Sequence, residues 1–222
     1  TLDFGKNYAG WVKFRLAGER GTSISITPAE LIHEDGSVNP VSLRNAHPVD
    51  TYIFKGEGIE EYEPRFTYHG FRYAQISGLQ GKPEDGMFTG CFVRTDAERI
   101  GDFKCGDEIV NTFYQIVCQT EESNIHGVPT DCPQRDERMG WTADTQVFSG
   151  TACFNMDSYR FLRKFSHDLY ETQLELGHVT NVIPAFHENG DTCSVWGDAA
   201  TIIPWNLYRY YGDLSILKEQ YD

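Results

Sequence analysis

Between Thr130 and Asp144 the chain reads T-D-C-P-Q-R-D-E-R-M-G-W-T-A-D, which places four carboxylates, two arginines and a tryptophan within fifteen residues. Ionised carboxylates and guanidinium groups are seldom buried unless paired, and an ordinary solvated loop has no need of tryptophan. The same set suits hydrolysis of a sugar. One carboxyl must protonate the leaving oxygen, others accept hydrogen bonds from ring hydroxyls, an arginine keeps neighbouring carboxylates ionised, and an indole covers the apolar C–H face. Glu137 is the candidate proton donor, being the central carboxyl with Arg135 and Arg138 beside it and Trp141 one helical turn later. The plain alternative is a structural ion pair between Glu137 and an arginine, since ion-pair networks resemble active sites.

Asp131 and Asp144 flank Glu137 too far apart for a single helix face, so they share a pocket only if the loop folds back on a helix starting near Thr142. Three converging carboxylates could bind hydroxyls or a divalent metal. Trp141 and Arg135 lie in the same run and neither ligates metals, which favours sugar. Asp136, adjacent to Glu137, points elsewhere and reads as structural. Trp196, in S-V-W-G-D-A-A, sits at a loop-to-helix junction and either lines the pocket or anchors packing. Trp205 and Tyr208 read as core residues beside Leu207, and His187 and Glu188 as an exposed loop pair or a substrate contact.

These side chains need a scaffold. From Trp11 to about Val93 the pattern is β-like, with alternation in W-V-K-F-R-L and S-I-S-I-T and turn signals at A-G-E-R-G and E-D-G-S, which predicts an antiparallel sandwich. From Asp107 onward the spacing is helical, through Ile109, Val110, Phe113, Ile116 and Val117. Further helices are expected over 142–154, 157–176 (stopped by Gly177, with Phe161, Leu162, Phe165, Leu169 and Leu174 buried) and 198–211. Leu214, Leu217 and Tyr221 continue the helical spacing to the end of the chain. The boundary falls near Thr95 to Lys104, giving domains 1–100 and 101–222.

Composition narrows the partners. Nineteen basic against 33 acidic residues give a formal charge of −14, which repels phosphate backbones and anionic headgroups, so nucleic acid and membrane surfaces are poor partners. No apolar run approaches the roughly 20 residues that span a bilayer. Six cysteines without a C-x-x-C pair read as scattered reduced thiols, tilting gently towards a cytoplasmic setting over a periplasmic or secreted one. The opening T-L-D-F-G-K-N and the close at Q-Y-D both read as cuts within a longer enzyme.

At these residues the chain resembles the bacterial α-L-rhamnosidases of glycoside hydrolase family 78. The resemblance is densest in D-C-P-Q-R-D-E-R-M-G-W-T-A-D and W-G-D-A and extends to D-F-G-K-N-Y-A-G-W-V, E-P-R-F-T-Y-H-G-F-R-Y and I-P-W-N-L-Y. It implies a β-sandwich domain followed by the first part of an (α/α)6 barrel. It also implies Glu137 as general acid, with Asp131, Arg135, Trp141, Asp144 and Trp196 as rhamnose-pocket residues. The family inverts, so a second carboxylate must activate water, and the resemblance places that base beyond Asp222. No cofactor and no metal are implied, and the partner is a rhamnose-containing glycoside or polysaccharide. About four helices cannot close a twelve-helix barrel, so the isolated chain is expected to lack activity and to expose apolar helix faces. Ala143 stands where many relatives carry glycine. The rival readings are an (α/α)6 glycosidase for another sugar and a non-catalytic carbohydrate-binding protein, and oligomeric state stays open.

Overall fold

Period-two alternation does produce strands. In a computed structural model describing residues 1–185 and 192–221, β1 (Leu2–Ala17) buries Tyr8, Val12, Phe14 and Leu16 while Lys13 and Arg15 turn outward. The remaining strands are β2 (Ser23–Ala29), β3 (Leu31–Ile32), β4 (Val38–Asn39), β5 (Asp50–Ile53), β6 (Ile59–Tyr62), β7 (His69–Ser77) and β8 (Phe88–Phe92). All pair antiparallel. Six lie in one sheet ordered β5-β2-β7-β1-β6 with β8 also on β1, and β3 and β4 form a separate ribbon. β1 changes partner along its length, pairing with β7 up to Gly10 and with β6 from Phe14, and its pairing with β7 is interrupted by an irregularity between Asp3 and Tyr8. Such a bulge bends a strand and curls its sheet. On its other edge β1 meets β8 so closely that a Cβ on Gly10 would stand 1.8 Å from the Cys91 carbonyl oxygen. Inside the curl, Phe14, Phe71, Ile24 and Ile26 form the core.

The chain forms two compact units, Thr1–Arg94 with Cys132–Arg138, and Thr95–Asp131 with Met139–Asp222. The central stretch of the acidic motif is therefore packed with the strands.

The second unit is helical. α1 (Glu108–Glu122) starts where Asp107 accepts a hydrogen bond from the Ile109 amide, the expected N-cap chemistry. α2 (Thr142–Asn155) comes directly after the motif, and α3 (Tyr159–Leu176) stops at Gly177, whose φ of 78° is the left-handed cap that glycine adopts without strain. α4 (Ala199–Tyr211) and α5 (Leu214–Glu219) complete the described helices. α2 packs along α4, with Asn206 Nδ2 donating to Ser149 Oγ at 2.8 Å, and α4 packs on α3 and α5. Their shared core contains Leu162, Phe165, Leu169, Ile183, Ile203, Leu207 and Ile216.

Three side chains expected in the core, Leu174, Trp205 and Tyr208, are exposed. Leu174, near the end of α3, is 67% exposed because the stripe that packs on α4 ends at Leu169. Trp205 and Tyr208 are half exposed, stacked on one another at 5.5 Å, because Ile203 and Leu207 hold the face of α4 turned to its neighbours. α1 exposes Ile109, Phe113 and Ile116 and buries Cys118, Glu121 and Glu122. His187 and Glu188 lie outside the described residues.

Candidate active site

In the strand unit, Pro133 and Gln134 lie against β7. A Cβ on Gly70 would stand 2.8 Å from Pro133 Cγ and 2.9 Å from the Gln134 nitrogen, so only glycine admits this approach. Gly70→Ala should cost about 1–3 kcal/mol through that overpacking, measured by denaturant unfolding; an unchanged midpoint would show that the segment yields freely.

The next residues are tied to the 3-10 turn Pro40–Leu43 and to the loop that leaves it. Gln134 Nε2 donates to the Ser42 carbonyl at 3.5 Å, and Arg44 Nε lies 3.5 Å from Asp136 Oδ1. Burial works to raise the Asp136 carboxyl, but hydrogen bonding from Asn45 and the Arg44 charge outweigh it and hold the group below the usual carboxylate range. Glu137 receives two guanidinium groups on one oxygen. Arg44 Nη1 donates to Oε2 at 2.6 Å and Arg135 Nε donates to the same atom at 2.9 Å, and the Glu137 side chain is 20% exposed. Arg138 turns back at φ 56°, donates from Nη1 to the Tyr68 carbonyl at 2.7 Å and lies 4.7 Å over the Tyr68 ring. Of the sequence candidates, this unit holds Glu137 and Arg135 together, and Asp136, expected to point away from its neighbour, instead shares Arg44 with Glu137 as part of the loop clasp.

In the helical unit, Asp131 closes the ends of the motif: its Oδ1 accepts from the Met139 amide at 2.8 Å. Trp141 is the residue before α2, bridged to Val182, and Thr142 Oγ1 donates to the Asn181 carbonyl at 3.0 Å. Asp144 is the exposed residue of an otherwise buried first turn of α2, where a carboxylate suits the helix dipole. Gln146, close by on the same helix, donates from its side chain to the Val195 carbonyl, which ties the loop carrying Trp196 to α2. The Trp196 ring is half-buried, with Nε1 buried and making no hydrogen bond among the described residues. α2 thus draws Trp141, Asp144 and the Trp196 loop to one region.

Asp131 and Asp144 also line a cavity of about 720 Å³ within this unit, walled by Phe113, Ile116, Val147 and Phe148. A third acid on its wall, Glu121, was not singled out from sequence. Glu121 is three residues past Cys118 on the buried face of α1, a spacing that could have marked it. Its Oε2 accepts from Asn155 Nδ2 at 2.8 Å while Oε1 is buried without a hydrogen-bond partner among the described residues. Desolvation, reinforced by the Glu122 charge and opposed by the Asn155 hydrogen bond and Arg99, pushes its carboxyl up to about 7. A raised folded-state value means the stabilisation is complete below the unfolded value of 4.5 and is lost as pH rises through about 7. We expect stability to fall by up to about 2–3 kcal/mol between pH 5 and 8, and Glu121→Gln to abolish that slope; an equal slope in the variant would assign it elsewhere.

Both parts of the chain match profiles of one glycosidase class. The profile described as the bacterial alpha-L-rhamnosidase 6 hairpin glycosidase domain matches residues 98–222, and that of the bacterial alpha-L-rhamnosidase concanavalin-like domain matches residues 1–94. The chain belongs to the bacterial α-L-rhamnosidase family. It is 41% identical over 219 residues to an alpha-L-rhamnosidase of Streptomyces avermitilis, covering 99% of this chain and 21% of that protein. It is 37% identical to one from Formosa agariphila, covering 100% of this chain and 24% of that one. Among solved structures, alpha-L-rhamnosidase from Dictyoglumus thermophilum superposes with a TM-score of 0.94 at 44% identity, over 99% of this chain and 25% of that one. The Streptomyces avermitilis enzyme complexed with L-rhamnose gives 0.93 at 41% identity, over 99% of this chain and 21% of that one. The chain thus spans about a quarter or less of these relatives' length.

Proposed function

We propose that the protein carrying this chain hydrolyses terminal α-L-rhamnose from glycosides or polysaccharides with inversion at the anomeric carbon. Glu137 is the general acid. Asp131 and Asp144 accept hydrogen bonds from sugar hydroxyls, Arg135 holds Glu137 and faces the sugar, and Trp141 and Trp196 offer indole faces to its apolar side. The observation that carries this reading is the place of Glu137 at the centre of the acidic motif, inside the region matched by the rhamnosidase hairpin profile, with its carboxyl held in position by Arg44 and Arg135. A glycosidic oxygen leaves poorly unless protonated, so the acid must be fixed where that oxygen will stand. The water-activating carboxylate of an inverting enzyme belongs roughly 6.5–9.5 Å from the acid, and in this reading it comes from sequence after Asp222.

The same reading makes the curled sheet part of a β-sandwich domain over about 1–100 and the helices, from about 101, the opening hairpins of an (α/α)6 barrel. It requires no cofactor and no metal, and the net charge of −14 argues against nucleic acid and anionic membranes as partners. A cytoplasmic setting is favoured slightly by the absence of a regular cysteine framework. The test is hydrolysis of an aryl α-L-rhamnoside against a panel of other aryl glycosides, with the anomer of the first-formed sugar followed by NMR. Rhamnose released first as the β-anomer supports the proposal. Retention of configuration removes the inverting mechanism, preference for another sugar removes the substrate, and binding of rhamnose without turnover leaves a lectin-like role.

A further inference from the structure

Arg44 lies 93 positions before Glu137 in the chain, on the loop that leaves the 3-10 turn, yet makes the shorter of the two arginine contacts to it. Its backbone is unusual: φ 55° with ψ −114°, a conformation that is strained for a residue with a side chain. Such strain persists where the surroundings hold it. Here Leu43 is buried on one side, Asn39 caps the turn, and the stretch from Ser42 to Asn45 is matched against Gln134, Asp136 and Glu137. The strained backbone aims the guanidinium so that Nη1 meets Glu137 while Nε faces Asp136.

We infer that Arg44 is a positioning residue for the general acid, presented by the strand unit to fix the plane and rotamer of the Glu137 carboxyl. This rests on Glu137 being that acid. A glutamate has three rotatable side-chain bonds, and Arg135, two residues away on the same loop, moves with it. Arg44 comes from a separate segment and ties the carboxyl to the sheet. Displacing a reacting group by about 1 Å can cost 10²-fold in rate, so an anchor of this kind has a kinetic signature. The plainer view is that Arg44 only pins one loop to another.

Leaving-group dependence separates the two views. A nitrophenolate departs with little protonation, whereas an alkoxide cannot, so a misplaced acid harms alkyl rhamnosides selectively. Arg44→Ala, Arg44→Gln and Arg44→Lys would be compared with Glu137→Gln in the full-length protein on 4-nitrophenyl and methyl α-L-rhamnosides, with thermal melting as a folding control. We expect Arg44→Ala and Arg44→Gln to lower kcat on the methyl glycoside about 10- to 100-fold and on the nitrophenyl glycoside less than about 3-fold, with KM little changed and part of kcat restored in Arg44→Lys. Equal losses on both substrates, a loss confined to KM, or no loss would overturn the inference while Glu137→Gln keeps its own selective loss. Failure of all three variants to fold would make Arg44 structural and overturn it as well. If Glu137→Gln shows no leaving-group selectivity, the acid assignment itself falls, and the role of Arg44 falls with it.

Discussion

Replacing Glu137 with glutamine should lower kcat on alkyl α-L-rhamnosides by about 10²–10⁴-fold, the range that general acid catalysis contributes. Glutamine has nearly the same shape, and its amide oxygen can still accept from Arg44 Nη1 and Arg135 Nε, so the loop clasp through Ser42 and Asn45 should survive. What it cannot do is give a proton to the departing oxygen. KM should change little, because sugar recognition is assigned to Asp131, Asp144 and the two tryptophans. Stability should change modestly, since the lost ion pair is partly exposed on the Arg44 side and such pairs contribute about 0–1 kcal/mol. The measurement is steady-state kinetics on substrates of graded leaving-group basicity. Alkyl rhamnoside turnover kept within a few fold of the parent would remove Glu137 from the acid role and return it to the plain ion-pair reading.

The second large effect concerns stability. Phe165→Ala should cost about 3–5 kcal/mol, as for other fully buried phenylalanines. The ring is 0% exposed in the shared core of the helical unit, beside Leu162, Leu169 and Ile203. It also supports the motif. A Cβ placed on Gly140 would lie 3.2 Å from the Phe165 ring and 2.1 Å from the Ile183 carbonyl oxygen, so the turn into α2 is pressed directly onto this side chain. Removing the ring leaves a cavity under Gly140 and should loosen Trp141 along with the fold, whereas Phe165→Leu should cost less than about half as much. Urea unfolding of the variants, followed by tryptophan fluorescence, measures both. A cost below about 1 kcal/mol would mean that the neighbours collapse into the space and that the ring is dispensable.

Much of this was legible in the residue order. Alternation over Trp11 to Leu16 and Ser23 to Thr27 made strands, and Asp107 and Gly177 marked the helix ends they do mark, because capping and pleating are local chemistry. The spacing of Leu162, Phe165 and Leu169 identified the packed face of α3, and the family was visible in the acidic motif. Periodicity failed where it could not say which apolar face finds a neighbour. Trp205, Tyr208 and Leu174 have the side chains of core residues, but the helices that pack on α3 and α4 cover other positions.

Of the candidate site, sequence alone determined the types of its groups: an acid flanked by arginines, two further carboxylates and two indoles. Only tertiary structure decided which arginines meet the acid. Arg135 and Arg138 looked equivalent beside Glu137, yet the backbone turns at Arg138 and sends its guanidinium to the Tyr68 carbonyl, and Arg44 takes the second place. No local signal in V-S-L-R-N announces that contact, because ion pairing across 93 residues depends on where two loops come to rest. The elevated Glu121 carboxyl has the same origin: its own neighbours in sequence are polar, and desolvation exists only once α1 is packed against Asn155.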